Sequence, residues 1–299
     1  MADGLAPART VIEQGRVLVG GAPANSAARL VDAGESVAVR PQASRFVGRG
    51  GDKLAGALDE FGLDPSGLAV LDAGASTGGF TDVLLQRGAA SVVALDVGHG
   101  QLHERLRRDP RVEVRDRTNL RHVDPAHLGP FGAVVADLSF ISLTRVMDVL
   151  VRCCAAGGWI VVLVKPQFEA PREEVSRGHG VITDPAEWSA AVVRVVHSAR
   201  AVGAGLVGLR VSPLRGAEGN VEFLALFRRN AADPASPPAS DDEVARLVAG
   251  VLVEAGLTAG PTSVSTAGPT DGASDRKVVA ERQVVAGASG EQVDRDVTR

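Results

Sequence analysis

The sequence of 299 residues holds two cysteines, no tyrosine and only 3% aromatic residues. The cysteines, Cys153 and Cys154, are neighbours. That excludes a disulfide scaffold and a cysteine-rich zinc site, and it points to a reducing compartment. So few aromatic rings argue against a stacking platform for single-stranded nucleic acid. No apolar run reaches the roughly 18–20 residues of a membrane span, even in the fullest stretch, Val149–Lys165. The opening residues, MADGLAPART, lack a basic segment followed by an apolar one, so no secretory signal is expected. The six histidines form no ligand cluster, so no metal is expected. The expectation is a cytoplasmic chain that works without a membrane.

Lysine is scarce too. Only Lys53, Lys165 and Lys277 occur, and the other 29 basic residues are arginine. Where lysine is kept in such a background, an ammonium is needed rather than a guanidinium. The formal net charge is −4, but residues 231–299 hold 11 acids against 6 bases, whereas residues 1–230 hold 25 acids and 26 bases. The acidic balance therefore belongs to the tail and does not exclude a nucleic-acid partner for the body.

What is present is a rhythm. Residues 1–40 read as a small module: a helix ending near Gln14, then short strands at Arg16–Val19 and Ser36–Arg40 around Gly-rich turns. Residues 41–52 read as a basic linker. From Lys53 to position 230 helix and strand alternate. Leu68–Asp72, Ser91–Asp96, Val112–Arg115, Ala133–Asp137 and Trp159–Val164 suit buried parallel strands. Lys53–Phe61, Phe80–Arg87, Gln101–Arg108, Leu143–Cys154 and Pro185–Ala201 suit helices between them. Leu206–Ser212 and Glu222–Phe227 suit an antiparallel hairpin at one edge. The fold class is α/β, a Rossmann-like, mostly parallel seven-stranded sheet with helices on both faces. Residues 231–257 read as a linker and a helix over Asp241–Ala255. Residues 258–299, rich in Thr, Ser, Gly and Ala, are expected to be disordered.

The strongest local signal is the run from Asp72 through Gly74, Ala75, Ser76, Thr77, Gly78 and Gly79 to Phe80. A strand ends, small residues turn, and a helix begins, so a ligand can approach the backbone closely. It is not a dinucleotide fingerprint, because the position two after Gly74 is Ser76, and no Gly-Lys-Ser/Thr follows to make a phosphate loop. It does fit the D-x-G-x-x-x-G-G turn of S-adenosylmethionine (SAM) methyltransferases. Asp96, with Val97 beside it, ends the next strand 24 residues after Asp72. There an acid can accept both ribose hydroxyls of a nucleoside. Asp116 and Asn119 follow the third strand, where an adenine edge would sit. Lys53, Asp137, Lys165 and Glu222 form a scattered charged set. Asp137 and Lys165 end the fourth and fifth strands, where ligands bind in open α/β sheets. Lys165 follows six apolar residues and is partly desolvated.

The run SRFVGRGGDKL resembles the opening motif of the TlyA family of ribosomal RNA 2′-O-methyltransferases. DAGASTGGFTD, LDVGHGQL, DRTNLR, DLSFISL, LVKPQFE and GNVEFL resemble its later motifs, in the same order. The resemblance covers residues 5–230 and extends to the RrmJ/FtsJ ribose methyltransferases. It implies SAM as cofactor, ribosomal RNA or ribosomal subunits as partners, and cytidine in 16S and/or 23S rRNA as target. It also implies that the Lys–Asp–Lys–Glu tetrad of those enzymes falls on Lys53, Asp137, Lys165 and Glu222. On that reading Lys165 activates the 2′-hydroxyl, as base or as the cation holding the developing alkoxide. Val11–Arg40 resembles the second half of an S4 RNA-binding domain. The basic helix that normally precedes it is missing from this sequence, so a shortened S4 module is expected. Arg16, Arg45 and Arg49 are the expected RNA contacts. A second group, from Arg105 to Arg121, is interleaved with acids and reads as a solvated face in preference to an RNA patch. The alternatives are a SAM methyltransferase on another substrate and a non-catalytic RNA-binding or haemolysin-like protein, neither of which needs the tetrad.

Overall fold

A computed structural model describes residues 5–24, 26–40, 45–216, 218–229 and 240–257. The expected linker 231–239 and the expected disordered stretch 258–299 lie outside the described residues. The N-terminal module consists of α1 (Leu5–Glu13), β1 (Val17–Val19), β2 (Ala22–Pro23) and β3 (Val37–Val39). Its strands form an antiparallel sheet in the order β2-β1-β3. Gly20 and Gly21, at φ +59° and +84°, turn β1 tightly into β2, a strand the sequence pattern does not announce.

The larger body begins with α2 (Gly50–Glu60), β4 (Ala69–Ala73), α3 (Gly79–Gln86), β5 (Ser91–Leu95), α4 (Glu104–Arg107) and β6 (Val112–Arg115). It continues with α5 (Pro125–Leu128), β7 (Phe131–Ala136), α6 (Met147–Cys153), β8 (Cys154–Val164), α7 (Pro166–Glu169) and α8 (Arg172–Arg177). It closes with α9 (Pro185–Ala201), β9 (Ala204–Val211), β10 (Phe223–Arg229) and α10 (Asp241–Glu254). The sheet order is β6-β5-β4-β7-β8-β10-β9. The first five strands run parallel, and β10 is antiparallel to both β8 and β9. From β4 the chain winds outward to β6, then returns to lay β7 on the other side of β4. The crevice at the C-terminal ends of β4 and β7 is the switch point where such sheets bind ligands.

Two apolar cores cover the two faces, and the strand period of two sorts residues between them. Leu71, Val134, Ile160, Val162 and Val164 face a core built with α6, α9 and α10. Val70, Ala133, Val135, Val161, Leu163 and Leu224 face the core built with α2 and α3. Continuing the second set past the strand ends puts Asp72, Asp137, Lys165 and Glu222 on the α2–α3 face. Four polar residues thus reach one side of the sheet by parity alone.

Of the linker expected over 41–52, residues 41–44 lie outside the described residues, and residues 45–52 pack against the body. Phe46 is 3% exposed within the α2–α3 core, and α2 starts at Gly50. Two close approaches make this possible: a Cβ on Gly51 would stand 2.4 Å from Phe46, and one on Gly79 would stand 2.7 Å from the Gly51 nitrogen. The helix expected over 143–154 is split into a 3-10 turn, Leu143–Arg145, and α6. The helix expected over 101–108 shrinks to Glu104–Arg107, and the short helices α5, α7 and α8 carried no periodic signal.

Candidate active site

The turn from β4 to α3 is shaped by glycines at positive φ. Gly74, at +86°, lies so close to the tip of β7 that a Cβ there would come within 2.4 Å of the Asp137 carbonyl oxygen. Gly78, at +97°, caps α3 under Leu102 and Leu106. Ser76 also takes a positive φ of 48°, and its N–H donates to Asp96 Oδ2 at 2.9 Å. The Gly98 N–H donates to Asp96 Oδ1 at 2.7 Å. Both carboxylate oxygens are thereby fixed in direction, each with a further lone pair to offer.

Gly74, Ser76, Asp96, Val97 and Asn119 line a cavity of about 1200 Å³ at the switch point. A smaller recess of about 170 Å³ shares Gly74, Ser76, Asp137 and Ser139 with it, and adds Ala75, Thr77, Gly79, Phe80 and Lys165. Three residues expected against a cofactor line neither space: Gly78, taken up in the α3 cap, Asp72 and Asp116. Asp72 is wholly buried and accepts a hydrogen bond from Thr81 Oγ1 at 2.6 Å. Its other oxygen has no partner, and burial pushes its carboxyl up to about 7. The parity that places Asp72 on the α3 face also buries it beneath the turn. Asp116 is drawn away by the Gly100 N–H (3.1 Å), Arg107 (3.0 Å) and His99 (3.2 Å), and these hold its carboxyl below the usual range. It fastens the loop after β5 to α4, while its neighbours Thr118 and Asn119 face the cavity. Asn119 also caps the following 3-10 turn.

The four charged residues form two ion pairs. Lys165 Nζ lies 2.7 Å from Asp137 Oδ1 and donates to Ser139 Oγ at 2.9 Å. Lys53 Nζ lies 2.5 Å from Glu222 Oε2, and both side chains are buried. The pairing of Phe223 with Val164 sets Glu222 at the strand end beside Lys165. Gly50, at the start of α2, lines the recess, and a Cβ on it would stand 3.5 Å from the Phe80 ring and 3.7 Å from Asp137 Oδ2, so the helix bearing Lys53 begins at the recess. Lys53 and Glu222 themselves stand behind its lining.

The chain matches the family model described as FtsJ-like methyltransferase over residues 46–229. It is 45% identical over 243 residues to the 16S/23S rRNA (cytidine-2′-O)-methyltransferase TlyA of Mycobacterium tuberculosis, covering 81% of this chain and 90% of the relative. The chain belongs to the TlyA family of FtsJ-like methyltransferases. Another TlyA relative, the 23S rRNA (cytidine-2′-O)-methyltransferase of Campylobacter jejuni, is 32% identical over 62% of this chain and 72% of its own. A solved structure, described as a candidate hemolysin from Streptococcus thermophilus, superposes with a TM-score of 0.66 at 35% identity, over 84% of this chain and 91% of that one.

On this TlyA-family scaffold the arginines expected to meet RNA fare differently. Arg16 is engaged inside its own module: Nε donates to the Arg40 carbonyl at 3.0 Å and Nη1 to Gln14 at 3.1 Å. Arg45 is exposed and stacks over Phe46 at 5.1 Å, and Arg49 is exposed at the N-cap of α2. The sequence reading also missed cavity residues, because they sit in turns without period. Ser139 touches Lys165, Gln101 meets Ser76 Oγ at 3.3 Å, and Phe140, at φ +64°, is 93% exposed on the rim. Glu169, buried and with its carboxyl raised by that burial, accepts from Ser142 Oγ at 2.5 Å and the Leu143 N–H at 2.8 Å. It ties the loop after β7 to α7. Among the described residues no cluster of His, Cys, Asp and Glu could hold a metal, and no helix is long and apolar enough to cross a membrane.

Proposed function

We propose that this chain methylates ribose 2′-hydroxyls of ribosomal RNA in the cytoplasm with SAM as donor, its target being cytidine in 16S and/or 23S rRNA. The observation that carries the reading is Lys165. A buried lysine, steered by Asp137 and Ser139, opens onto a recess walled by the Gly-rich turn. The names of the Mycobacterium and Campylobacter relatives supply the substrate class.

The residues present fit SAM. The oriented Asp96 carboxylate suits a ribose diol, Thr118 and Asn119 suit a base edge, and Gly74 leaves the turn bare on the cavity side. Among the described residues Lys165 is the one cation lining the small recess, where a pyrophosphate would need several. When bound, SAM supplies an electrophilic methyl group on a sulfonium. The rest of the chemistry belongs to the chain. A ribose hydroxyl is a weak nucleophile near neutral pH and must shed its proton as it attacks. The Lys165 ammonium has three N–H directions, of which Asp137 and Ser139 take two. The third direction is left for the 2′-oxygen: as the neutral amine Lys165 takes the proton there through its lone pair, and as the ammonium it donates to the developing alkoxide while water takes the proton. Lys53 and Glu222, as a closed pair behind the recess, hold α2 against β10 and set the field.

The test is transfer of radiolabelled methyl from SAM to unmethylated 16S and 23S rRNA and to intact ribosomal subunits. Label that resists alkaline cleavage at one ribose, and is lost in Lys165→Ala with SAM binding kept, is the expected result. Full activity of Lys165→Ala would refute the assignment.

A further inference from the structure

The 1200 Å³ cavity is larger than one small ligand needs, since pockets for such ligands run to roughly 300–1,000 Å³. Its wall includes three arginines, Arg121, Arg145 and Arg172. All three are exposed, and they come from three separate segments: the 3-10 turn after β6, the turn before α6, and the first residue of α8.

Their charge is unspent. Among the described residues none of the three has an acid within ion-pair distance. Arginines on the adjoining surface are the opposite case. Arg105 pairs with Asp82 (2.6 Å), Arg107 with Asp116 (3.0 Å), Arg108 with Glu104 (2.7 Å), Arg111 with Asp109 (2.8 Å) and Arg115 with Glu113 (2.6 Å). The carboxylates that line the cavity do not cancel the rim either. Asp96 is held by two backbone amides, Asp137 by Lys165, and Glu169 by Ser142 and the Leu143 N–H. The sequence grouped Arg121 with the acid-interleaved arginines, but the fold separates it from them and joins it to Arg145 and Arg172.

Resting on the function proposed above, we infer that Arg121, Arg145 and Arg172 form a subsite for the phosphodiester backbone of the RNA strand that presents its ribose to Lys165. Unpaired, exposed guanidinium groups at the mouth of a cleft are what phosphate oxygens select, and phosphate contacts position a strand without reading its bases. Substrate RNA is then gripped in the methyltransferase body itself, independently of the N-terminal module.

The experiment compares the full-length Arg121→Gln/Arg145→Gln/Arg172→Gln protein with a control of equal charge change, Arg108→Gln/Arg111→Gln/Arg115→Gln. SAM binding is measured by calorimetry. Binding of unmodified 16S and 23S rRNA is measured across a salt series, and methyl transfer with the same RNAs. The rim variant is expected to keep SAM affinity and to need at least about tenfold more RNA for half-maximal rate. The slope of log affinity against log salt should be shallower by about 2–3, near one unit for each lost contact. The control is expected to match the wild type. Equal losses in the two triple variants would mean a diffuse field, and lost SAM affinity would assign the rim to the cofactor. An unchanged slope in the rim variant would remove the subsite. Each of these overturns the inference while wild-type methyl transfer leaves the function standing. Absence of methyl transfer by the wild type would overturn the function and the inference with it.

Discussion

Lys165 is the residue at which charge and proton transfer can be separated. Guanidinium keeps its proton in proteins, so Lys165→Arg preserves a cation next to Asp137 but cannot act as a base. If the ammonium only stabilises the alkoxide, the Arg protein should retain measurable activity. If Lys165 takes the proton, Arg and Ala should fall together by roughly 10²–10⁴-fold. Single-turnover rates at saturating SAM decide between the two. Asp72 makes a different residue-scale prediction, one about stability. Its carboxyl stands at about 7 in the fold because burial disfavours the ionised form, against 3.8 for the free side chain. Folding therefore favours the protonated acid. The stabilising contribution is complete below pH 3.8, declines as pH rises, and is gone above about 7. A gap of about 3 pH units corresponds to roughly 4 kcal/mol as an order of magnitude. Asp72→Asn imitates the protonated form and should flatten this decline. Urea unfolding of both proteins at pH 5, 6 and 7 measures it, and parallel pH profiles would refute the buried-acid account.

At the scale of elements, the Lys53–Glu222 pair stitches α2 to the start of β10. Removing one member strands a buried charge, which costs about 3–5 kcal/mol, whereas replacing both with apolar residues is often neutral. Lys53→Met alone should lower the melting temperature sharply, and Lys53→Met/Glu222→Leu should restore most of it. Methyl transfer by the stable double variant then reports whether the pair acts on the reaction beyond holding α2. The same scale shows what was legible in the sequence. Four of the five parallel strands, β4, β5, β7 and β8, stood out because each holds a short apolar run buried on both faces, with turn residues at its ends, whereas the edge strand β6 (VEVR) is only partly covered and showed by its place in the rhythm. Asp137 and Lys165 stood out because they are the first charges after such runs, and Glu222 because it is the charge directly before the apolar run Phe223–Phe227. Asp72 looked identical in pattern, yet its position two residues before the Gly74 turn buries it against Thr81 instead of exposing it. Asp116 was misplaced because its partners, Gly100, Arg107 and His99, come from a loop and a one-turn helix without period. Ser139 and the rim arginines Arg121 and Arg145 lie in loops and 3-10 turns, and Glu169 and Arg172 in helices of one or two turns, where only the folded chain brings distant segments side by side.

For the whole molecule, the question is where the folding unit ends. The family match stops at residue 229, but the core does not. α10 packs on α9 and β9 and buries Val244, Val248, Val251 and Leu252 in the larger apolar cluster. Its N-terminus is fixed by a capping box in which the Ser240 hydroxyl accepts from the Glu243 N–H and the Glu243 carboxylate accepts from the Ser240 N–H. Such a cap contributes about 1 kcal/mol, and each buried aliphatic side chain roughly 1.5–3 kcal/mol. A chain ending at Arg229 should therefore melt many degrees lower than one ending at Leu257, because Val192, Val195 and Ala199 would lose their cover. The chain ending at Leu257 should match the full-length protein in melting temperature and in methyl transfer, since residues 258–299 carry no apolar stripe that could add to a core. Differential scanning calorimetry of the three chains measures this directly. Equal melting of the two shortened chains would mean that α10 only rests on the surface. A drop already at Leu257 would mean that the Thr- and Ser-rich tail contributes packing its composition does not show.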